Sequence, residues 1–135
     1  MFKKKFEHKN YKEKACSVGF DEMYIKDFLE YSKQYDFIEG FQDLGTYGRM
    51  NKCASCVLVF LASGIYSKWK FPVAYYLSNS GVKKEILKDL IVDILNKLFD
   101  IGLCPKLIVC DQGTSNQSAL KLLNVNETNP FFYCE

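Results

Sequence analysis

The sequence predicts an α/β domain in which helices pack on a sheet that has both antiparallel and parallel strand pairs. Polar and apolar residues alternate through Ala15–Ile25, which is the two-residue period of a strand. Two apolar segments joined by a short polar turn, Ala54–Tyr66 and Lys70–Leu77, predict a hairpin. A segment with helical periodicity at 82–98 then precedes the apolar run Leu107–Cys110. This order of helix and strand is typical of parallel pairing.

The first third of the chain is predicted to be mostly extended. The first strand alternates two sets of side chains, which are Cys16, Val18 and Phe20 against Ser17, Gly19 and Asp21. Residues 26–35 are mixed in character and are compatible with a helical turn. Phe37–Gly45 is predicted to be extended, and residues 46–52 have the composition of a loop.

The middle of the chain contains the hairpin and the strongest helix signal. Ser67 and Lys68 supply the polar turn, and Pro72 lies near the start of the returning strand, where a missing N–H is tolerated. Ser80 and Gly81 are capping residue types. They precede apolar residues that recur every four positions, which are Val82, Ile86, Leu90, Ile94 and Leu98.

The last third predicts a strand, a turn and a second helix. Gly102 ends the first helix. The run Leu107–Cys110 is continuously apolar, which is typical of a strand covered on both faces. Thr114 or Ser115 is then predicted to cap a helix over Gln117–Leu123.

The composition is that of a single globular domain with a basic N-terminal arm. At 135 residues, with 48% hydrophobic and 25% charged residues, the chain can bury a core. Residues 1–14 carry six lysines and two glutamates, a net charge of +4. Because the whole chain has a net charge of +2, residues 15–135 have a net charge of −2. Such an arm is typical of a solvated terminus, although a nuclear address or a DNA-backbone-binding tail stays open. The slightly acidic body is a poor nucleic-acid clamp by itself.

Neither secretion nor a membrane span is expected. The N-terminus lacks an apolar signal core, and the best apolar run, Val57–Ile65, is too short to cross a bilayer. We therefore expect a nuclear or cytoplasmic protein whose six cysteines are reduced thiols. Cys53 and Cys56 form a C-x-x-C motif before a strand, without a second pair at zinc spacing, so we interpret them as core residues.

Two aspartates are the leading candidates for chemistry. Asp21 lies on the first strand, and Asp111 follows Leu107–Cys110, at the strand end where open α/β sheets tend to bind ligands. If the two strands are neighbours, the carboxylates face one volume and repel each other unless one is protonated or a cation lies between them. Mg²⁺ suits such oxygen ligands, and paired ions support phosphodiester chemistry. The alternative is that Asp111 only forms a D-x-G turn and Asp21 is an exposed strand residue.

Other residues are weaker candidates. The turn Gln112–Asn116 offers backbone N–H groups to a phosphate, but it lacks a glycine-rich fingerprint and the lysine of a P-loop. His8, the only histidine, lies in the basic arm, so histidine-based catalysis has no candidate in the body. Trp69, the single tryptophan, is either an anchor of the hairpin turn or a surface on which a base stacks.

Four sequence blocks occur in the same order as in one known family. They are FDEMYIK (Phe20–Lys26), GFQDLG (Gly40–Gly45), VLVFLASGIYSKWKFPVAYYL (Val57–Leu77) and LIVCDQGTSNQSALKLL (Leu107–Leu123). Together they resemble the RNase H-like catalytic domain of the P-element transposases and their THAP domain-containing relatives. The resemblance spans nearly everything from Ala15 to Phe132.

The resemblance implies an RNase H-like mixed sheet with flanking helices. It also implies a D-D-E site that binds Mg²⁺ or Mn²⁺ and carries out DNA cleavage and strand transfer. Asp21, in D-E-M, matches the family's first aspartate, and Asp111, in C-D-Q-G, matches the second. Glu22 is expected to point away from Asp21 on the strand, so we do not count it as a ligand.

Several parts of the family's architecture have no counterpart here. The family's catalytic glutamate follows an inserted GTP-binding domain, and Glu135 lies too close to Asp111 to be that glutamate. The zinc module that recognises DNA is also missing. We therefore expect residues 15–135 to form a partial domain, truncated before its last elements, without a GTP site and inactive alone. The alternative is a domesticated, non-enzymatic remnant that self-associates or binds full-length transposase.

Overall fold

The computed structural model describes residues 6–134, which form a mixed sheet covered by helices on one face. The strands in this range are β1 (Ala15–Tyr24), β2 (Glu30–Ser32), β3 (Phe37–Glu39), β4 (Phe41–Asp43), β5 (Arg49–Cys53), β6 (Cys56–Gly64), β7 (Lys70–Ser78) and β8 (Cys104–Val109). The helices are α1 (Tyr11–Lys14), α2 (Lys84–Asp100) and α3 (Thr114–Leu122), and a 3-10 turn covers Gly45–Tyr47. None of these helices is long and apolar enough to span a membrane.

The strand order in the six-stranded sheet of the described residues is β5-β4-β7-β6-β1-β8. β1 pairs antiparallel with β6 and parallel with β8, while β6 and β7 form the predicted hairpin. β2 and β3 form a separate two-stranded hairpin beside this sheet. The mixed α/β fold class predicted from the sequence is confirmed.

The core lies between the sheet and α2. Alternate residues of the central strands are buried on this side, namely Cys16, Val18 and Phe20 on β1 and Leu58, Phe60 and Ala62 on β6. They form one cluster with the buried stripe of α2, which includes Leu87, Leu90, Ile91, Ile94 and Leu98. Ala119 of α3 belongs to the same cluster. Because each fully buried aliphatic side chain contributes about 1.5–3 kcal/mol, this face of the sheet supplies most of the hydrophobic stabilisation.

The other side of the sheet, which we call the open face, is less covered. Its residues follow from the strand register, and they are Ser17, Gly19, Asp21 and Met23 on β1, Val57, Val59 and Leu61 on β6, Tyr75 and Leu77 on β7, and Leu107 and Val109 on β8. Leu107 and Val109 are 55% and 57% exposed. The prediction that this strand is covered on both faces is therefore wrong. In the sheet of residues 6–134 β8 is an edge strand, and its Ile108 side packs against the core.

Two segments between β1 and β6 differ from the sequence prediction. Residues 26–35 contain β2 in place of a helical turn, because Tyr31 pairs with Ile38 of β3. Residues 46–52 were predicted to be a loop, but Arg49–Cys53 forms β5 against β4. In both cases pairing with a neighbouring strand overrides the local turn-forming composition.

The helix starts also differ from prediction. Ser80 and Gly81 have φ of 67° and 93° and form the turn before α2, whose N-cap is Lys83. α3 begins at Thr114 with Gly113 as its N-cap, and no side chain caps it by a hydrogen bond. The predicted capping roles are therefore wrong for both helices. Before α2, Ser80 and Gly81 turn the chain through positive φ and do not cap the helix.

The described part of the basic arm packs on the sheet. The Phe6 side chain is 3% exposed, and its ring lies 5.4 Å from that of Trp69. Trp69 also stacks on Phe71 at 5.5 Å, and its Nε1 donates a hydrogen bond to the Glu13 carbonyl oxygen at 3.2 Å. The interpretation of Trp69 as a structural anchor is confirmed. Within residues 6–14 the chain is anchored through Phe6, while most of the other side chains are exposed to solvent. Residues 1–5 and Glu135 lie outside the described residues.

Candidate catalytic site

The strand register brings Asp21 and Asp111 to the same end of two adjacent strands. In the parallel β1–β8 pair, Ser17 lies beside Leu107 and Gly19 beside Val109. Asp21 and Asp111 each lie two residues beyond the Gly19–Val109 pair, where β8 ends. Because side chains alternate along a strand, Asp21 projects from the same face as Gly19, which is the open face. β1 and β8 are therefore neighbours whose backbones run about 4.8 Å apart where they pair.

The Asp111 carboxylate is positioned by the turn that follows β8. Its Oδ1 accepts hydrogen bonds from the Gly113 backbone N–H at 2.8 Å and from Asn116 Nδ2 at 2.7 Å. A Cβ at Gly113 would lie 2.9 Å from the same oxygen, so glycine suits this position. Asp111 therefore forms the D-x-G turn considered in the sequence analysis. Since both contacts use Oδ1, this turn also orients Oδ2 of the same carboxylate.

The neighbouring acids Asp21 and Glu22 face opposite sides of the sheet. Asp21 is exposed, and its Oδ1 accepts a hydrogen bond from the Glu22 backbone N–H at 2.9 Å. Glu22 Oε2 accepts from the Val82 backbone N–H at 3.2 Å, on the side where α2 packs. Burial raises the pKa of Glu22, the Val82 N–H opposes that rise, and the negative charge of Asp21 adds to it. Glu22 therefore ties β1 to the start of α2, as strand alternation predicts, and stays outside the carboxylate pair.

The donor set suits a divalent cation only in part. Among residues 6–134 no group of three or more His, Cys, Asp or Glu side chains is arranged to hold a metal ion. Carboxylate oxygens are the ligands that Mg²⁺ prefers, and this ion usually keeps several waters or substrate phosphate oxygens. Asp21 and Asp111 therefore fit part of a magnesium site, and they would need further ligands to complete it.

Of the C-x-x-C pair, Cys56 is buried as a core residue is, whereas Cys53 is only partly buried. Cys16 and Cys56 are buried, and burial raises the pKa of the Cys16 thiol to about 11, with Cys104 adding to the rise. Burial also raises the pKa of Cys110, as does the charge of Asp111. Thiols with raised pKa values are poor nucleophiles at neutral pH, because the thiolate is the reactive form.

One feature of the site region was missed from the sequence, namely a cavity of about 540 Å³ beside the β2–β3 hairpin. Its lining comes from the segment after β1, from the hairpin, and from β4, β5 and β7, and includes Lys26, Phe28, Glu30, Phe37, Glu39, Asp43, Arg49 and Tyr75. The available signal was the density of aromatic residues in 28–37. The cavity itself could not be predicted, because it depends on where the short hairpin packs.

The arrangement of sheet and helices is that of an RNase H-like domain. A family model described as TNP-like, RNase H N-terminal domain matches residues 1–124, and the chain belongs to this family. The resemblance found in the sequence is thereby confirmed.

Individual relatives agree with this assignment. The chain is 28% identical to the Transposable element P transposase of Drosophila melanogaster over 120 residues, which is 89% of this chain and 14% of that protein. It is 26% identical to the human DNA transposase THAP9 over 117 residues, which is 82% of this chain and 12% of that protein. The chain thus spans a small part of the curated relatives that it matches.

A solved structure shares the fold. The Drosophila P element transposase strand transfer complex superposes with a TM-score of 0.74 at 24% sequence identity. The match covers 99% of this chain and 27% of the other chain. The likeness therefore extends over the sheet and both of the longer helices described above.

Proposed function

We propose that this chain is the first part of the RNase H-like catalytic domain of a P-element-type DNA transposase. In this proposal Asp21 and Asp111 are two of three acidic residues that serve DNA cleavage and strand transfer. The observation that supports it is the parallel β1–β8 register, in which Asp21 and Asp111 each lie two residues beyond the Gly19–Val109 pair. The matching relatives are named transposases, and one solved neighbour is a strand transfer complex. A nuclear location follows from a DNA substrate.

Each residue of the pair has a defined part in this proposal. Asp21 and Asp111 would hold Mg²⁺ or Mn²⁺, which in such sites activates the attacking oxygen and stabilises the leaving one. Gly113 and Asn116 keep the Asp111 carboxylate in place before the ion arrives. Phosphoryl transfer depends on complete positioning of metal and substrate. In this proposal the third acidic ligand comes from outside residues 6–134. We therefore expect this chain by itself to bind the ion weakly and to be inactive.

Metal binding tests the assignment of the two aspartates. We expect Mn²⁺ titration, followed by electron paramagnetic resonance, to show a weak site. Asp21→Asn and Asp111→Asn should each weaken it at least about tenfold, since a carboxylate ligand is lost while the side-chain oxygen that accepts the hydrogen bond is kept. Asp100→Asn, at the exposed end of α2, is the matched control. Mn²⁺ affinity that is unchanged in both site variants would reject the assignment.

Activity tests the second half of the proposal. We expect no nicking of supercoiled plasmid by the chain in Mg²⁺ or Mn²⁺. Nicking that is robust in the unaltered chain and lost in Asp111→Asn would show that the chain is catalytically complete, and would contradict our proposal of inactivity.

A second candidate function is non-enzymatic and rests on the open face. β8 is an edge strand in the described sheet, and it carries the exposed side chains Leu107 and Val109. Edge strands offer unpaired backbone groups to another chain, and apolar side chains beside them favour pairing. In this proposal the chain is a domesticated remnant that binds a second copy or full-length transposase through β8.

A further inference from the structure

The cavity beside the β2–β3 hairpin has aromatic walls that are open to solvent. Phe28, Phe37 and Tyr75 contribute rings, and they are 66%, 38% and 69% exposed. We call this cavity the hairpin pocket. Exposed aromatic rings around a concave space are the feature on which unpaired nucleobases stack.

The backbone fixes the shape of the hairpin pocket. Gly40 ends the hairpin at φ of 104°, and a Cβ there would collide with the Phe28 carbonyl oxygen. The Ile25 N–H donates to the Ser55 carbonyl at 2.8 Å, and the Ala54 N–H donates to the Gly40 carbonyl at 2.8 Å. Both ends of the segment that carries Phe28 and Phe37 are thus bonded to the sheet, so the pocket is formed before any ligand binds.

The lining of the pocket carries two cations, Lys26 and Arg49, and three carboxylates, Glu30, Glu39 and Asp43, so its charge favours a ring with N–H donors over a phosphate. Arg49 lies 5.8 Å above the Phe37 ring, and its Nε is 3.1 Å from Asp43 Oδ2, which neutralises that pair. Glu30 and Glu39 lie opposite each other on β2 and β3, and facing like charges are unfavourable unless a donor lies between them. The amino groups of cytosine, adenine and guanine are such donors, and carboxylates accept hydrogen bonds from cytosine N4.

The pocket lies on the same face and in the same cross-strand row as the candidate catalytic site. Asp21 pairs with Val59 on β6, and Val59 pairs with Tyr75 on β7. Two strand spacings separate the Asp21 and Tyr75 backbones by about 10 Å. That distance corresponds to about three stacked nucleotides at ~3.4 Å each, and to fewer in an extended strand.

From this placement we infer that the hairpin pocket binds an unpaired nucleobase of the DNA strand whose phosphate lies at Asp21 and Asp111. The inference rests on the proposed function for its substrate, and adds that the strand is read a few nucleotides from the reacting phosphate. Phe28 and Tyr75 stack on the base, while Glu30 and Glu39 accept hydrogen bonds from its amino group.

The test uses the full chain and a single-stranded oligothymidylate that carries one 2-aminopurine, whose fluorescence is quenched when it stacks. We expect saturable quenching, with Phe28→Ala and Tyr75→Ala each weakening binding about five- to a hundredfold. Both side chains are mostly exposed, so both variants should fold. Tyr66→Ala, on a side chain that is 65% exposed at the β6–β7 turn, is the matched control and should bind like the unaltered chain.

The outcomes separate this inference from the proposed function. If quenching depends on Phe28 and Tyr75, the hairpin pocket is supported. If Mn²⁺ binding in the same chain does not depend on Asp21 and Asp111, the catalytic assignment is rejected while the pocket stands. Quenching that is equal in all three alanine variants and the unaltered chain overturns the pocket, whatever the metal result. A third outcome also overturns the inference: a lysine-rich peptide binds the hairpin pocket, and the 2-aminopurine fluorescence of the oligonucleotide is not quenched. The pocket is then assigned to a cationic peptide.

Discussion

Asp111 accepts two hydrogen bonds through Oδ1, one from the Gly113 N–H and one from Asn116 Nδ2. We predict that Asp111→Ala lowers the free energy of unfolding by about 1–2 kcal/mol, because both donors lose their acceptor near the start of α3. Asp111→Asn keeps an acceptor oxygen and should lose less than half as much. Urea denaturation followed by Trp69 fluorescence measures both values, and equal losses in the two variants would contradict the structural role.

Glu22 predicts a pH dependence of stability. Burial raises its pKa above the ordinary value of 4.5, the Val82 N–H opposes the rise, and Asp21 adds to it. The folded chain therefore holds this proton more tightly than the unfolded chain does. It follows that the free energy of unfolding falls as pH rises from the unfolded pKa through the folded one. Glu22→Gln should flatten that decline, because the amide does not titrate.

The measurement for Glu22 is urea denaturation of the unaltered chain and the variant at a series of pH values that starts below 4.5, the ordinary pKa of this carboxyl, and extends above it. Glu127→Gln, on an exposed side chain, is the control and should leave the slope as it is. Parallel curves for the unaltered chain and Glu22→Gln would show that this carboxyl does not contribute to the pH dependence.

At the scale of elements, the β2–β3 hairpin depends on one glycine. Gly40 and Gly48 both have positive φ, of 104° and 124°, but a Cβ at Gly48 meets nothing within 4 Å, whereas one at Gly40 collides with the Phe28 carbonyl oxygen. We predict that Gly48→Ala costs about 1–3 kcal/mol from backbone strain alone. Gly40→Ala should cost about 1–3 kcal/mol more from the added overlap. Urea denaturation gives both values, and equal costs would disprove the close contact.

The N-terminal segment is held to the sheet by aromatic packing. Phe6 is 3% exposed and contacts Trp69, which is the only tryptophan in the chain. We predict that Phe6→Ala lowers the free energy of unfolding by about 3–5 kcal/mol. It should also shift Trp69 emission to longer wavelength, because water reaches the indole. Phe131→Ala, on a side chain that is 56% exposed, should change neither, and a similar effect in both variants would reject the anchor.

The sequence predicted those elements whose own periodicity decides their structure. The alternation from Cys16 to Asp21 placed Asp21 opposite the core face, and the four-residue repeat from Val82 to Leu98 placed α2. The sequence prediction failed for segments whose structure depends on pairing with another strand. The segment of β2 is mixed in character and that of β5 has loop composition, and they become strands by pairing with β3 and β4. The apolar run Leu107–Cys110 also did not show whether β8 is a central strand or an edge strand of the sheet.

The candidate site shows the same division. The sequence singled out Asp21 and Asp111, because each lies at a recognisable strand or strand end. The hairpin pocket was missed, because Phe28, Arg49 and Tyr75 come from separate segments that only the folded sheet brings together. Residue patterns report the surroundings along one element, whereas a cavity depends on several elements at once.

On the scale of the whole molecule, the two faces of the sheet differ in kind. One face is closed by α2 and α3 over a continuous core. The other carries the candidate carboxylate pair, the hairpin pocket and partly exposed apolar side chains. The proposed chemistry, the proposed nucleobase contact and the proposed protein contact therefore all concern the open face. A partner that covers this face would compete with DNA for it.

A second copy of the chain is one partner that could cover the open face. We predict that the mass measured by size-exclusion chromatography with light scattering rises with concentration. Pairing through β8 would cover part of Leu107 and Val109, each worth less than the ~1.5–3 kcal/mol of a fully buried side chain. Leu107→Lys should keep the chain monomeric without loss of stability, because the side chain is 55% exposed and lysine at an edge opposes pairing.

The control for self-association is Leu122→Lys, on a side chain of α3 that is 46% exposed and lies away from the open face. It should associate like the unaltered chain. If Leu107→Lys and Leu122→Lys reduce association equally, the contact is a general effect of added charge rather than pairing through β8. An unaltered chain that stays monomeric at every concentration would remove a second copy as the partner, and mixing with full-length transposase would then decide the non-enzymatic candidate.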